Sequence, residues 1–283
     1  MEQDILKAIE LAIAHETEAR RSYLALADES DDPELKRILE EIAHEEAGHE
    51  ATLRSRLRLY KQKHLLRDTI SRYVSPQMCA EILENPSLLQ LGGERRKVTI
   101  LFADIKGFTA LSEKMEPEKV VEVLNVFFTE MVELVFQHQG TLDKFLGDAL
   151  MADFGVPVEV PQAASQAVAC ALAMQAAMDE VNALNHADGL PHLEMGIAVS
   201  TGTVVVGNIG SDKRMDFTVV GDVVNVAARL QELTKELEAE TLVSEATYRE
   251  AAGQFRFQPV PPVVLRGRRD PTAVYRLLAE DQA

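Results

Sequence analysis

The stretch KVTILFADIKGFT, residues 97–109, decides the fold. From Val98 to Ala103 it is almost continuously apolar and rich in branched and aromatic side chains. It is too short for a buried helix and reads as a buried strand. Asp104 closes it. Downstream the pattern alternates. Pro117 to His138 reads as a helix; Thr141–Phe145 and Ala149–Phe154 read as strands around a turn at Gly147-Asp148. Pro161 to Leu184 is an apolar helix. Strands are expected near 193–200, 203–208 and 215–220, then a helix from Asp222 to about Glu236. Strands interleaved with helices predict an α/β sandwich, one sheet covered by helices, over residues 94–283.

Upstream, Gly92-Gly93 reads as a boundary. Residues 65–93 read as a connector, with a short helix from Ser75-Pro76 to Glu84 that Asn85-Pro86 stops. Residues 1–64 are helical throughout. Ile5, Ile9, Ala12, Glu16, Ala19, Tyr23 and Leu26 recur on one face of a helix over 3–28. Leu35, Leu39, Ile42, Glu46, His49 and Leu53 do so over 33–60. Asp31-Asp32-Pro33 supplies a cap and a first-turn proline. So short a loop folds the helices back antiparallel. Two helices alone bury too little to be stable, so the hairpin needs a partner, either another copy or the rest of the chain.

Composition narrows the function. The 283 residues are 46% hydrophobic and 27% charged, an ordinary globular balance. No run of eighteen apolar residues exists, so no membrane span is expected. The first residues lack the pattern of a signal peptide. A net charge of −17 argues against nucleic acid and anionic lipid as partners. The two cysteines, Cys79 and Cys170, have no framework or metal spacing and read as reduced thiols of a cytoplasmic protein.

Asp104 at a strand end and Asp148 at a glycine turn can converge at one sheet edge as a hard-oxygen site for magnesium or manganese with a polyphosphate. Ordinary turn chemistry explains Asp148 equally well on spacing alone. Asn225 and Arg229 stand i, i+4 on one helix face, which suits an anionic oxygen or a plain surface pair.

Taken together, LFADIKGFT, GTLDKFLGDALMADFG, GIAVSTGTVVVGNIG, DFTVVGDVVNVAARL and LRGRRDPTAVYRL resemble the catalytic domain of the class III nucleotide cyclases over residues 93–278. The resemblance implies a ferredoxin-like sandwich that converts ATP to cyclic AMP and pyrophosphate with two magnesium or manganese ions. It implies that Asp104, Asp148 and the carbonyl of Ile105 hold the metals. Asn225 would orient the ribose, and Arg229 would stabilise charge on the α-phosphate. Lys144 and Thr218 match the purine-reading pair; an ammonium donates to adenine N1 and a hydroxyl can accept from N6. Guanylyl cyclases carry an acid at the lysine position. Thr218 replaces the Asp of many animal members. Arg266 or Arg268 would meet the terminal phosphates, where many members have lysine. In this family the sites span a dimer interface, and all six core residues are present, so a homodimer is expected. The segment from Arg72 to Arg96 is similar to the joints between sensor domains and bacterial cyclases.

On the hairpin, Glu16, Glu46 and His49 interrupt the apolar seam. Charges at bundle positions are costly unless paired or metal-bound. Glu46-x-x-His49 plus Glu16 is half of a di-iron carboxylate set, and two chains complete it in a four-helix bundle. The stretch ETEARRSYLALADESDDPELKRILEEIAHEEAGHEATL resembles ferritin-like and rubrerythrin-like domains, closest to the two-helix encapsulated ferritins. That implies iron at Glu16, Glu46 and His49 with Tyr23 near, while His44 and Glu45 face solvent. An acidic hairpin that only dimerises fits the same residues. Two roles follow for an iron site. It could sense oxygen, redox state or iron, or the protein could oxidise iron with the cyclase domain as a nucleotide-binding module.

Overall fold

The computed structural model describes residues 2–70, 91–211, 213–266 and 270–279. The chain divides into two compact units, Met1–Tyr73 and Val74–Ala283.

The first unit is a hairpin of α1 (Glu2–Glu29) and α2 (Pro33–Ile70). Asp32 caps α2, its Oδ1 accepting from the Glu34 amide at 2.9 Å and the Leu35 amide at 3.4 Å. Lys61 reaches back to Glu10 at 2.9 Å, so the helices run antiparallel. The second helix continues ten residues beyond the expected end at 60, into the segment read as connector. The seam also differs from its predicted line. Its most buried side chains are Ile13, Ala27, Ala43 and Glu50, whereas Ile5, Leu26 and Leu35 are exposed. Alanines let two helices approach closely, and a pair of helices covers only part of a wide apolar stripe. The short helix predicted at 75–84 and Cys79 lie outside the described residues.

The second unit is a mixed sheet in the order β2-β3-β1-β4-β6-β8-β7, with β5 against β4. Its strands are β1 (Gly92–Ile105), β2 (Thr141–Leu146), β3 (Ala149–Phe154), β4 (Met195–Ser211), β5 (Arg214–Val220), β6 (Thr241–Ser244), β7 (Arg256–Val263) and β8 (Thr272–Leu278). The helices are α3 (Phe108–Ser112), α4 (Pro117–Gln137), α5 (Ala163–Ala187), α6 (Asp222–Glu236) and α7 (Glu245–Ala251).

β1 and β4 pair antiparallel from Gly92↔Asn208 to Ile105↔Met195. Both faces of β1 are covered. Leu101, Ala103 and Ile105 join the core beneath α4 and α5; Val98, Ile100 and Phe102 join the core beneath α6. That is why the stretch at 98–103 lacks polar alternation. The four fully buried side chains of α4, Val123, Phe127, Met131 and Val135, contribute on the order of 10 kcal/mol of transfer free energy before entropy.

Gly92-Gly93, read as a boundary, is where β1 starts. The backbones there run so close that a Cβ on Gly207 would sit 2.0 Å from the Gly92 carbonyl oxygen. The segments 193–200 and 203–208 form one strand, because Gly202 continues the ladder opposite Val98. Among the described residues no helix is long and apolar enough to cross a membrane.

Candidate functional site

Asp104 is the penultimate residue of β1 and pairs across the ladder with Ala149. Asp148 is therefore its neighbour, in a turn made possible by Gly147 at φ 69°. The Asp148 carboxyl is pushed up, first by burial and then by the charge of Asp104. Lys235, in the last turn of α6, opposes that shift and brings its Nζ to 3.0 Å from Asp104 Oδ1. Two half-buried carboxylates already drawing an ammonium fit a hard cation. Ile105 is fully buried at the strand end beside them.

The course of α6 places the remaining residues. Cβ atoms added at Gly202 and Gly196 would strike Val223 and Thr234 respectively, so the helix lies along β4 with its first turn at Gly202 and its last at Gly196. Gly196 is the ladder partner of Asp104, and Gly202 that of Val98, six residues away or about 20 Å. Asn225 is exposed near the far end, and Arg229 is half-buried midway along the helix. Asn225 thus lies on the order of 15 Å from Lys235 along the helix. The acid pair and Asn225 of one chain are not one pocket.

Lys144 and Thr218 do come together, through a residue that sequence reading passed over. Thr218 Oγ1 donates to Asp143 Oδ2 at 2.6 Å, and Lys144 Nζ is 3.1 Å from Asp143 Oδ1. Strand alternation would point residues 143 and 144 to opposite faces. The pairing of β2 with β3 slips between Leu142 and Lys144, and this bulge brings the two side chains together. A bulge of this kind has no mark in the sequence. Asp153, on β3, is within hydrogen-bonding reach of Asp143. Its carboxyl is raised well above the usual range, by burial and then by the charge of Asp143.

Burial and the charge of Asp143 therefore favour the neutral form of Asp153 in the folded chain. A raised acid stabilises the fold below its unfolded pKa and ceases to do so as pH climbs. Asp153→Asn keeps a donor toward Asp143 without needing a proton. Thermal unfolding should show its midpoint rising relative to wild type, by more at pH 8 than at pH 5. A difference that does not vary with pH would contradict the assignment.

Arg266 is exposed in the turn after β7; Arg268 lies outside the described residues. The Cys170 thiol is buried and pushed up to about 12, which makes it inert.

On the hairpin, Glu16, Glu46 and His49 present ligand atoms all within 4.8 Å of one another. His49 Nδ1 is 3.4 Å from Glu46 Oε2 and 4.0 Å from Glu16 Oε2. The Glu16 carboxyl is raised, chiefly by its hydrogen bond with Glu46, and Glu46 is lowered by the same bond. Contrary to the expected seam, the His49 side chain is 65% exposed within a single chain. The more deeply buried acid is Glu50, which sequence reading missed. Arg54 at 2.8 Å and Arg20 at 3.7 Å flank it, and the hydrogen bond from Arg54 leads in holding it below the usual range. Tyr23 is half-buried two turns beyond Glu16, and His44 and Glu45 are exposed as expected.

Residues 93–279 match the family described as the adenylate and guanylate cyclase catalytic domain, and the chain belongs to that family. Residues 7–93 match the rubrerythrin family, so a ferritin-like helical segment precedes a class III cyclase domain. Adenylate cyclase 1 of Rhizobium meliloti is 32% identical over 210 residues, covering 74% of this chain and 32% of that protein. An uncharacterised Mycobacterium tuberculosis protein is 37% identical over 216 residues, covering 75% of this chain and 36% of its own. The chain thus spans about a third of the length of these curated relatives. The crystal structure of the adenylyl cyclase CyaB from P. aeruginosa is 33% identical, with a TM-score of 0.63 over 68% of this chain and 98% of that one. That of the guanylyl cyclase Cya2 is 39% identical with the same TM-score and the same coverage.

Proposed function

We propose that this chain is an adenylyl cyclase that forms cyclic AMP and pyrophosphate from ATP at two equivalent sites of a homodimer. The observation that supports it most is the division of labour within one chain. Asp104 and Asp148 stand at one end of α6, and Asn225 stands near the other. Two copies packed head to tail across a two-fold axis bring complementary halves together twice. The domain arrangement is a hairpin over 1–64, a connector over 65–93 and a catalytic domain over 94–283.

Similar proteins include both adenylyl and guanylyl cyclases, so the base must be argued from side chains. Lys144 donates to a ring nitrogen that carries a lone pair, which adenine offers at N1 and guanine does not. Asp104 and Asp148, with the Ile105 carbonyl, would hold magnesium or manganese. Divalent ions bound there would acidify the ribose 3′-hydroxyl and neutralise charge on the triphosphate. Asn225 orients the ribose. Arg229 stabilises charge on the α-phosphate, and Arg266 or Arg268 meets the terminal phosphates. Lys235 holds Asp104 in position, and a divalent ion bound by Asp104 would take the place of its ammonium.

The hairpin contributes Glu16, Glu46 and His49 from each copy, the set of a di-iron bundle. Iron bound there would supply redox chemistry with oxygen. A change of bundle geometry with iron state would shift the catalytic dimer, which makes the hairpin an oxygen, redox or iron sensor. The same cluster favours a second reading, an iron-oxidising protein whose cyclase domain only binds nucleotide.

Product analysis separates these. Purified protein with ATP and manganese should form cyclic AMP and pyrophosphate in equal amounts. Ferrous iron consumed catalytically under oxygen, with no cyclic nucleotide from ATP or GTP, would leave only the second reading.

A further inference from the structure

Asp143 lies between Lys144 and Thr218, the pair proposed above to read the base. Its side chain is 1% exposed, so a carboxylate has been placed where charge is costly. The bulge in β2 exists at this residue. Neutralisation by Lys144 alone would need no second contact, yet Thr218 donates to the other carboxylate oxygen at 2.6 Å. A hydroxyl has one proton. With that proton committed to Asp143, Thr218 can offer a ligand only lone pairs. Lys144, held at 3.1 Å, retains further N–H donors and no acceptor. Both side chains that meet the Asp143 oxygens, the hydroxyl of Thr218 and the ammonium of Lys144, bring donors to it.

We propose that Asp143 is a positioning residue that fixes the polarity of base recognition. It holds Thr218 as an acceptor and Lys144 as a donor, so that the site takes a 6-aminopurine and disfavours a 6-oxopurine. The exocyclic amine of the first matches an acceptor-only hydroxyl. The carbonyl of the second meets two lone pairs. This inference rests on Lys144 and Thr218 being the base-contacting pair.

The test compares kcat/KM for ATP and for GTP in wild type and variants of the full chain. In Asp143→Asn the carboxamide can turn its amine to Thr218, whose hydroxyl then accepts and points its proton outward. Asp143→Ala frees the hydroxyl altogether. Either change should lower the ATP-over-GTP ratio by roughly tenfold or more. The ratio does not depend on how much of a preparation is folded, and having two variants guards against the loss of one. In a Thr218→Val background the same change at 143 should move the ratio by less than about threefold, because the hydroxyl it acts through is gone. Asp153→Asn, which keeps a donor to Asp143, should leave the ratio near wild type. If Asp143→Asn and Asp143→Ala slow both substrates equally while Lys144→Glu still shifts the preference, Asp143 is only structural and this inference falls alone. Wild-type protein that makes no cyclic nucleotide from either substrate overturns the cyclase reading and this inference with it.

Discussion

Asp104→Ala and Asn225→Ala proteins, each nearly inactive alone, recover about a quarter of wild-type cyclase activity when mixed and allowed to exchange subunits. The fraction follows from symmetry. Random exchange makes half of the dimers mixed. A mixed dimer has one site with neither substitution and one with both. Each single variant should lose on the order of 10²–10³-fold, the cost of removing a group that meets developing charge or the reacting hydroxyl. The structure supports the experiment because Asp104 and the start of α6 are about six strand residues apart within one chain. Recovery requires that residues from two copies meet. Variants that remain dimeric, exchange subunits and stay inactive in the mixture would show that each site lies within one chain.

Iron binding at the hairpin should disappear in Glu46→Ala, where wild-type protein takes up about one iron per chain, two per dimer. Glu46 is the residue to remove because it pairs with both His49 and Glu16. It lies on the wall of the hairpin, whereas Glu50 is locked between Arg20 and Arg54 and its loss would loosen the helix pair. Metal content after anaerobic loading with ferrous iron gives the first reading. Cyclic AMP production by the metal-free, ferrous and air-oxidised states gives the second. The ferrous and oxidised rates should differ in wild type and coincide in Glu46→Ala. Equal rates in all wild-type states would leave a cyclase whose hairpin serves only to dimerise. Iron uptake unchanged in Glu46→Ala would place the metal elsewhere.

Much of the molecule was legible in its residues. The apolar run at 98–103, the caps at Asp32 and Pro33, and the periodicities of the helices all mark elements by local physical chemistry, and α6 runs over the residues predicted for it. Asp104 and Asp148 could be paired from sequence because a strand end and a glycine turn are local features. Three things were not legible. The true seam of the hairpin depends on which part of a wide apolar stripe a single partner helix covers, so Ile13, Ala27 and Glu50 took places expected for their neighbours. Lys235 reaches Asp104 from 131 residues away only because α6 lies antiparallel along β4. Asp143 joins Lys144 and Thr218 through a bulge set by the pairing of two strands. Sequence periodicity states which way a side chain points along an ideal element. Departures from ideality, and meetings between distant elements, belong to the packing of the whole sheet and its helices.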